Sequence, residues 1–121
     1  MALPVRLDFY AKQGDSFRSD PIQWRRGDTP VDLTNLAGKC QVRNIPQGGL
    51  IAELTVVKDD AVNGWYHIEA SRDVMTNIPT AGATVSDYTK YIQDVQFSFE
   101  DYQETVSDGF FYVAPEVTRN V

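Results

Sequence analysis

Short stretches in which apolar and polar residues alternate follow one another along most of the chain. The first is VRLDFY at residues 5–10, in which every second residue is apolar. Similar stretches lie at residues 39–43, 50–57, 65–70 and 91–99, and further extended stretches lie at residues 17–25 and 110–113. Because successive side chains of a strand point to opposite faces, each stretch predicts a half-buried β-strand.

Turn-forming residues separate these predicted strands. Gly, Asp, Asn or Pro clusters occur at residues 13–15, 26–30, 46–49, 63–64 and 107–109, at the spacing expected for a sandwich or barrel. Only Ser71 and the residues up to Met75 suggest a helix, with Ser71 as its N-cap and Pro79 beyond its end. The pattern predicts one all-β domain over residues 1–121, an antiparallel β-sandwich of about seven or eight strands, immunoglobulin-like or jelly-roll-like, with one short helix.

The length and net charge of the chain exclude some classes of function. A chain of 121 residues with 42% hydrophobic residues has enough apolar surface for one core. The net charge of −6 disfavours nucleic acid as a partner. The N-terminus lacks the apolar stretch of a signal peptide, and no run approaches the ~20 apolar residues that cross a bilayer. We therefore expect no membrane partner and synthesis in the cytoplasm.

Candidate catalytic and metal-binding residues are few. Cys40 and His67 are the single thiol and imidazole, and a cysteine nucleophile would require them to meet in space. A structural zinc site needs four Cys or His ligands, and the carboxylates lack the spacing of a calcium loop, so solvated turns explain them better. We expect no enzymatic activity, no cofactor and no metal, although a small hydrolase using the carboxylates or Cys40 with His67 stays open as an alternative.

Two groups of residues resemble known binding motifs. Arg26-Gly27-Asp28 spells a tripeptide that some integrin ligands use, but Gly-Asp is also a common turn. Trp24, Trp65 and Tyr66 would form a sugar-stacking platform if they were exposed, which makes a carbohydrate-binding module for host surface glycans the main alternative function.

Several segments together resemble a known family. They are Gln13-Gly14-Asp15 leading to Ile22-Gln23-Trp24, then residues 27–34 (GDTPVDLT), Gln41-Val42-Arg43, the stretch Tyr91 to Phe97, and the closing GFFYVAPEVTR at residues 109–119. Their layout is similar to that of the N-terminal domain family of bacteriophage baseplate upper proteins and related small tail-associated β-sandwich proteins. Asn35-Leu36-Ala37-Gly38 departs from the family's direct Thr-Gly, and the long shaft or receptor-binding head of larger members has no counterpart in the sequence.

The resemblance implies a virion structural protein of the tail, baseplate, neck or capsid surface. Such a protein acts as an anchor, adaptor or decoration domain, and its expected partners are other virion structural proteins and copies of itself in a symmetric assembly. Pro115 interrupts the last predicted strand, so we expect residues 115–121 to form a possible docking tail. The candidate interface residues are Val5, Leu7, Trp24, Arg26, Asp28, Glu116, Val117 and Arg119.

Overall fold

The computed structural model of the chain describes residues 4–45, 48–80 and 87–115. Within these ranges the chain forms eleven β-strand segments and one short helix. They are β1 (Val5–Arg6), β2 (Phe9–Lys12), β3 (Phe17–Arg18), β4 (Ile22–Gln23), β5 (Arg25–Arg26), β6 (Thr29–Pro30), β7 (Ala37–Arg43), β8 (Leu50–Asp60), β9 (Trp65–Ala70), α1 (Arg72–Thr76), β10 (Thr89–Phe99) and β11 (Tyr102–Ala114).

The strands form one curled, mixed sheet whose two halves pack as the layers of a sandwich. The front layer contains β1 and β2 beside β11, followed by β10, β7 and the first half of β8. The back layer contains the second half of β8, then β9, which pairs with β3 and β4. Strand β8 therefore belongs to both layers, while β5 and β6 form a separate two-stranded ribbon. The orders β11-β10-β7 and β8-β9-β3/β4 correspond to an immunoglobulin-like sandwich.

The core lies between the layers and is built around Phe97. Trp24 stacks on the Phe97 ring at 5.6 Å between centroids, and Tyr66 meets it edge-on at 5.2 Å. Leu33, from the Val-Asp-Leu-Thr segment, is fully buried in the same cluster. Burial of each large apolar side chain contributes about 1.5–3 kcal/mol, so these residues account for much of the packing between the layers.

The prediction of an all-β sandwich with one short helix is confirmed. The helix begins at the predicted N-cap, where the Ser71 hydroxyl accepts a hydrogen bond from the Val74 amide at 3.3 Å. Its buried residue Met75 and the following Ile78 join the core.

The prediction of a turn at residues 107–109 is wrong. Ser107, Asp108 and Gly109 lie inside β11, which runs without interruption from Tyr102 to Ala114. The turn lies earlier, at the Glu100-Asp101 connection between β10 and β11. A Cβ at Gly109 would lie 2.0 Å from the Leu7 carbonyl oxygen, so glycine is required there by close backbone approach and not by a turn.

The expectation of a purely antiparallel sandwich also needs correction. β1 and β2 both pair with β11 in parallel, with Val5 opposite Ser107 and Phe9 opposite Phe111. Strands that pair in parallel need a long connection between them, which is often a helical crossover. Here the whole domain separates the two partners, so the N-terminal strand reaches β11 without one.

Candidate functional site

An aromatic cluster covers part of the outward surface of the front layer. It consists of Tyr10, Tyr88, Phe110 and Tyr112. Tyr10 stacks on Tyr112 at 4.8 Å between ring centroids, and Tyr88 meets Tyr10 edge-on at 5.6 Å. Phe110 lies 5.8 Å from Tyr112. Tyr10 and Tyr88 are 63% and 48% exposed, so the cluster presents large apolar rings to solvent.

Strand register creates this cluster. Tyr112 of β11 lies directly opposite Tyr10 of the parallel strand β2. On its other side Tyr112 lies opposite Lys90 of β10. Side chains at directly opposite positions of neighbouring strands are close enough to touch, so the N-terminal strand supplies an aromatic ring that β11 and β10 alone would lack.

Two cations flank Phe110. The Arg6 guanidinium and the Lys90 ammonium each lie 4.6 Å from the centre of its ring. Arg6 also pairs with Asp8 at 3.2 Å, and the Asp8 carboxylate accepts a hydrogen bond from the Phe110 amide at 2.8 Å. That backbone hydrogen bond, aided by Arg6, holds the pKa of Asp8 below its ordinary value.

A shallow groove of about 680 Å³ adjoins the aromatic cluster, and its polar residues carry both signs of charge. Asp94 and Asp108 lie directly opposite each other on β10 and β11. Burial raises the pKa of Asp94 above its ordinary value, the nearby Asp108 adds to the increase, and Arg43 opposes it. Arg43 itself donates to the Gln41 side chain at 2.7 Å. Like-charged carboxylates facing each other across strands are unfavourable unless a cation joins them.

The first two predicted interface residues lie at the edge of the front layer. Val5 is 58% exposed on β1. Leu7 is half-buried, and both of its backbone polar groups are engaged: its amide donates to the Asp108 carbonyl at 2.9 Å, and its carbonyl accepts from the Gln93 side chain at 2.7 Å. Val5 therefore remains a candidate for contact with a neighbour, whereas Leu7 mainly holds the N-terminal strand in place.

The predicted interface position of Trp24 needs correction, because this side chain is only 7% exposed and stacks on Phe97 in the core. Arg26 covers Trp24 at 5.3 Å and donates hydrogen bonds to the Tyr102 hydroxyl and the Glu104 carboxylate, each at 2.7 Å. The hydrogen bond to Glu104 is the main reason that the pKa of Arg26 is raised. Asp28 is exposed on the turn after Gly27, whose φ is +61°. In the Arg-Gly-Asp tripeptide, Asp28 is therefore exposed to solvent, whereas Arg26 is held by its contacts with other residues of the domain.

The other predicted binding residues do not come together. Tyr66 is buried beside Trp24 in the core, while Trp65 is 37% exposed, so the three residues do not form a sugar-stacking platform. Glu116, Val117 and Arg119 lie outside the described residues, as does the docking tail beyond Pro115.

Cys40 and His67 also remain apart. Cys40 is fully buried, and burial raises the pKa of its thiol to about 12. His67 is on β9 between Tyr66 and Ile68, two core residues, so strand alternation directs its ring to the opposite face of the sheet. Its Nδ1 lies 2.8 Å from an Asp59 carboxylate oxygen. Among the described residues, no group of three or more His, Cys, Asp or Glu side chains is placed to hold a metal ion.

Sequence reasoning missed the aromatic cluster, although one signal was present. The run Phe110-Phe111-Tyr112-Val113 is apolar or aromatic at every position. In a strand, such a run places bulky side chains on both faces. Phe111 and Val113 enter the core, and the outward pair Phe110 and Tyr112 is left on the surface.

The comparisons with known proteins give little further information. No protein-family model matches the sequence, and no curated protein matches it. Within the described ranges no helix is long and apolar enough to span a membrane. One solved structure to which the chain is similar is that of the NK cell receptor Nkp44, described as a triggering partner in natural cytotoxicity, with 8% identity and a TM-score of 0.38 over 95% of this chain and 100% of that chain. At this identity and TM-score, the likeness carries no argument about what the chain does.

Proposed function

We propose that this chain is a non-enzymatic structural protein of a bacteriophage virion. It acts as an anchor, adaptor or decoration domain of the tail, baseplate, neck or capsid surface, and it works through protein–protein contacts. The family resemblance of the sequence supports the viral context. The aromatic cluster on the front layer is the observation that carries the binding role.

The composition of this surface is that of a contact site. Tyrosine offers a large, rigid contact area at a small cost in conformational entropy, and aromatic residues and arginine are enriched in protein interfaces. Tyr10 and Tyr88 are both exposed and packed against Tyr112, so they are already ordered before a partner binds. Binding then removes apolar surface from water without first ordering these side chains.

The test compares Tyr10→Ser combined with Tyr88→Ser against the control Phe99→Ser. Phe99 is 50% exposed but lies at the far end of β10, outside the aromatic cluster. Truncation of an aromatic interface anchor commonly costs about 2 kcal/mol or more, which is over tenfold in affinity. We expect the double variant to fold, by tryptophan fluorescence and thermal unfolding, but to be incorporated into virions roughly tenfold less than the control. Equal incorporation of both variants would contradict the proposal.

A further inference from the structure

The outward face of the front layer carries three parallel rows of side chains that run across the strands. The first row, here called the tyrosine row, contains Tyr10, Tyr112 and Lys90 in register on β2, β11 and β10. The third row, here called the acidic row, contains Asp108 and Asp94 on β11 and β10, continued by Gln41 and Glu53 on β7 and β8, and it begins with Arg6 of β1 opposite Asp108. One end of the face is therefore aromatic with one lysine, and the other end carries three carboxylates and one arginine.

The middle row lies halfway between these two and is largely apolar. It contains Phe110, Ile92, Arg43 and Leu50, again in register across the sheet. On β10, Ile92 is two residues from Lys90 and two residues from Asp94. On β11, Phe110 is likewise two residues from Tyr112 and two from Asp108. The face is thus symmetric in spacing about its middle row, with Lys90 on one side and an excess of carboxylates on the other.

Lys90, Asp94 and Asp108 form no close ion pair with another described residue, although Arg6 lies opposite Asp108 and the charge of Arg43 acts on Asp94. Among the described residues, Lys90 has no carboxylate within 4.0 Å, and neither Asp94 nor Asp108 has a cation within that distance. Lys90 and Asp94 are separated by four residues along β10, about 13 Å, so they cannot neutralise each other. A partner that brings a further cation to Asp94 and Asp108 and a carboxylate to Lys90 would form ion pairs that the described residues do not form among themselves.

We infer that a second copy of this chain binds this face, related by a twofold axis that runs across the strands through the middle row. Such a rotation turns the face onto itself and reverses the order of the rows. The tyrosine row of each copy then covers the acidic row of the other, with Lys90 near Asp94 and Asp108. Both contacts occur twice, as the isologous geometry of a twofold dimer requires.

This arrangement explains features that the isolated domain leaves unfavourable. The exposed ring of Tyr10 and the half-buried ring of Phe110 become buried in the interface, and the facing carboxylates of Asp94 and Asp108 gain a further cation. Electrostatic complementarity of this kind chiefly fixes the register and excludes wrong partners. The inference deepens the proposed function, on which it rests, by identifying one of the contacts through which copies assemble.

The test exchanges the charges of Lys90 and Asp94 and measures dimerisation by analytical ultracentrifugation over a range of protein concentrations. We expect the unaltered chain to form a dimer, and Lys90→Glu or Asp94→Lys alone to weaken it roughly tenfold or more, because each places like charges together twice. Lys90→Glu combined with Asp94→Lys exchanges the two charges and restores dimerisation to within about threefold. The control Lys58→Glu changes an exposed lysine of the back layer and leaves the dimer intact. Thermal unfolding of each variant verifies that it is folded.

A monomer at all concentrations would overturn the inference, and so would a dimer that the single variants leave unchanged or that the double variant fails to restore. These outcomes differ from failure of the proposed function. If the chain is monomeric but the tyrosine variants still lose incorporation into virions, the face binds a different virion protein. If the dimer forms as described but no variant affects incorporation, the dimer stands and the structural role in the virion fails.

Discussion

Replacement of Gly109 by alanine tests how the N-terminal strand is held against the rest of the domain. An added Cβ at this position would lie 2.0 Å from the Leu7 carbonyl oxygen and 2.7 Å from a carboxylate oxygen of Asp8. The first contact is with backbone, so a side-chain rotation cannot relieve it. The segment around Leu7 must move away from β11, and the hydrogen bonds that hold it are lost.

Three hydrogen bonds set the size of the effect. They join the Leu7 amide to the Asp108 carbonyl at 2.9 Å, the Gln93 side chain to the Leu7 carbonyl at 2.7 Å, and the Phe110 amide to Asp8 at 2.8 Å. At roughly 1 kcal/mol each, their loss lowers the free energy of unfolding by about 3 kcal/mol. Gln93 adds to the cost, because its buried amide oxygen already has no partner among the described residues and its amide nitrogen would lose one.

Urea unfolding followed by tryptophan fluorescence measures this free energy. The matched control is Gly49→Ala, because a Cβ at Gly49 meets nothing within 4 Å and surface changes of this kind usually stay within about 0.5 kcal/mol. If Gly109→Ala destabilised the domain no more than the control, the close parallel docking of β1 against β11 would be refuted.

Two further predictions concern titratable groups. The variant Asp94→Asn removes the unfavourable pairing with Asp108. At neutral pH, and at protein concentrations that keep the chain monomeric, we expect its free energy of unfolding to be about 0.2–1 kcal/mol higher. Since the pKa of Asp94 is higher in the folded state than in the unfolded state, the gain should vanish once acid protonates the carboxyl in both states. Urea unfolding measured at acid pH tests this, and a gain that persists at acid pH would show that charge repulsion is not its cause. Cys40, whose thiol pKa is raised to about 12 by burial, should react with a thiol reagent only after unfolding, and rapid labelling of the folded domain would show that the thiol is accessible.

The features predicted correctly from the sequence are those that depend on neighbouring residues. Period-two alternation at residues 91–99 identifies β10, because burial of every second side chain follows from strand geometry alone. Ser71 accepts a hydrogen bond from an amide only three residues further along the chain, so the start of the helix can also be predicted from the local sequence.

The errors arise where partners are far apart along the chain. Ser107-Asp108-Gly109 has the composition of a turn, but it stays extended because it pairs with β10 on one side and, at Ser107 and Asp108, with a parallel strand about a hundred residues earlier on the other. Trp24 is placed in the core by Phe97, and no local pattern distinguishes such a tryptophan from one exposed at an interface. The rows of the front layer depend on the register of several strands at once, which a single strand's alternation does not reveal.

Strand β11 links the stability of the domain to its proposed binding surface. Its inward residues Phe111 and Val113 belong to the core, and its outward residues Phe110 and Tyr112 belong to the aromatic cluster. The N-terminal strand completes the cluster from the edge, with Arg6 over Phe110 and Tyr10 on Tyr112. Both contacts depend on the parallel docking that Gly109 permits. A change that releases the N-terminal strand must therefore weaken the binding surface even though it replaces none of the exposed aromatic residues.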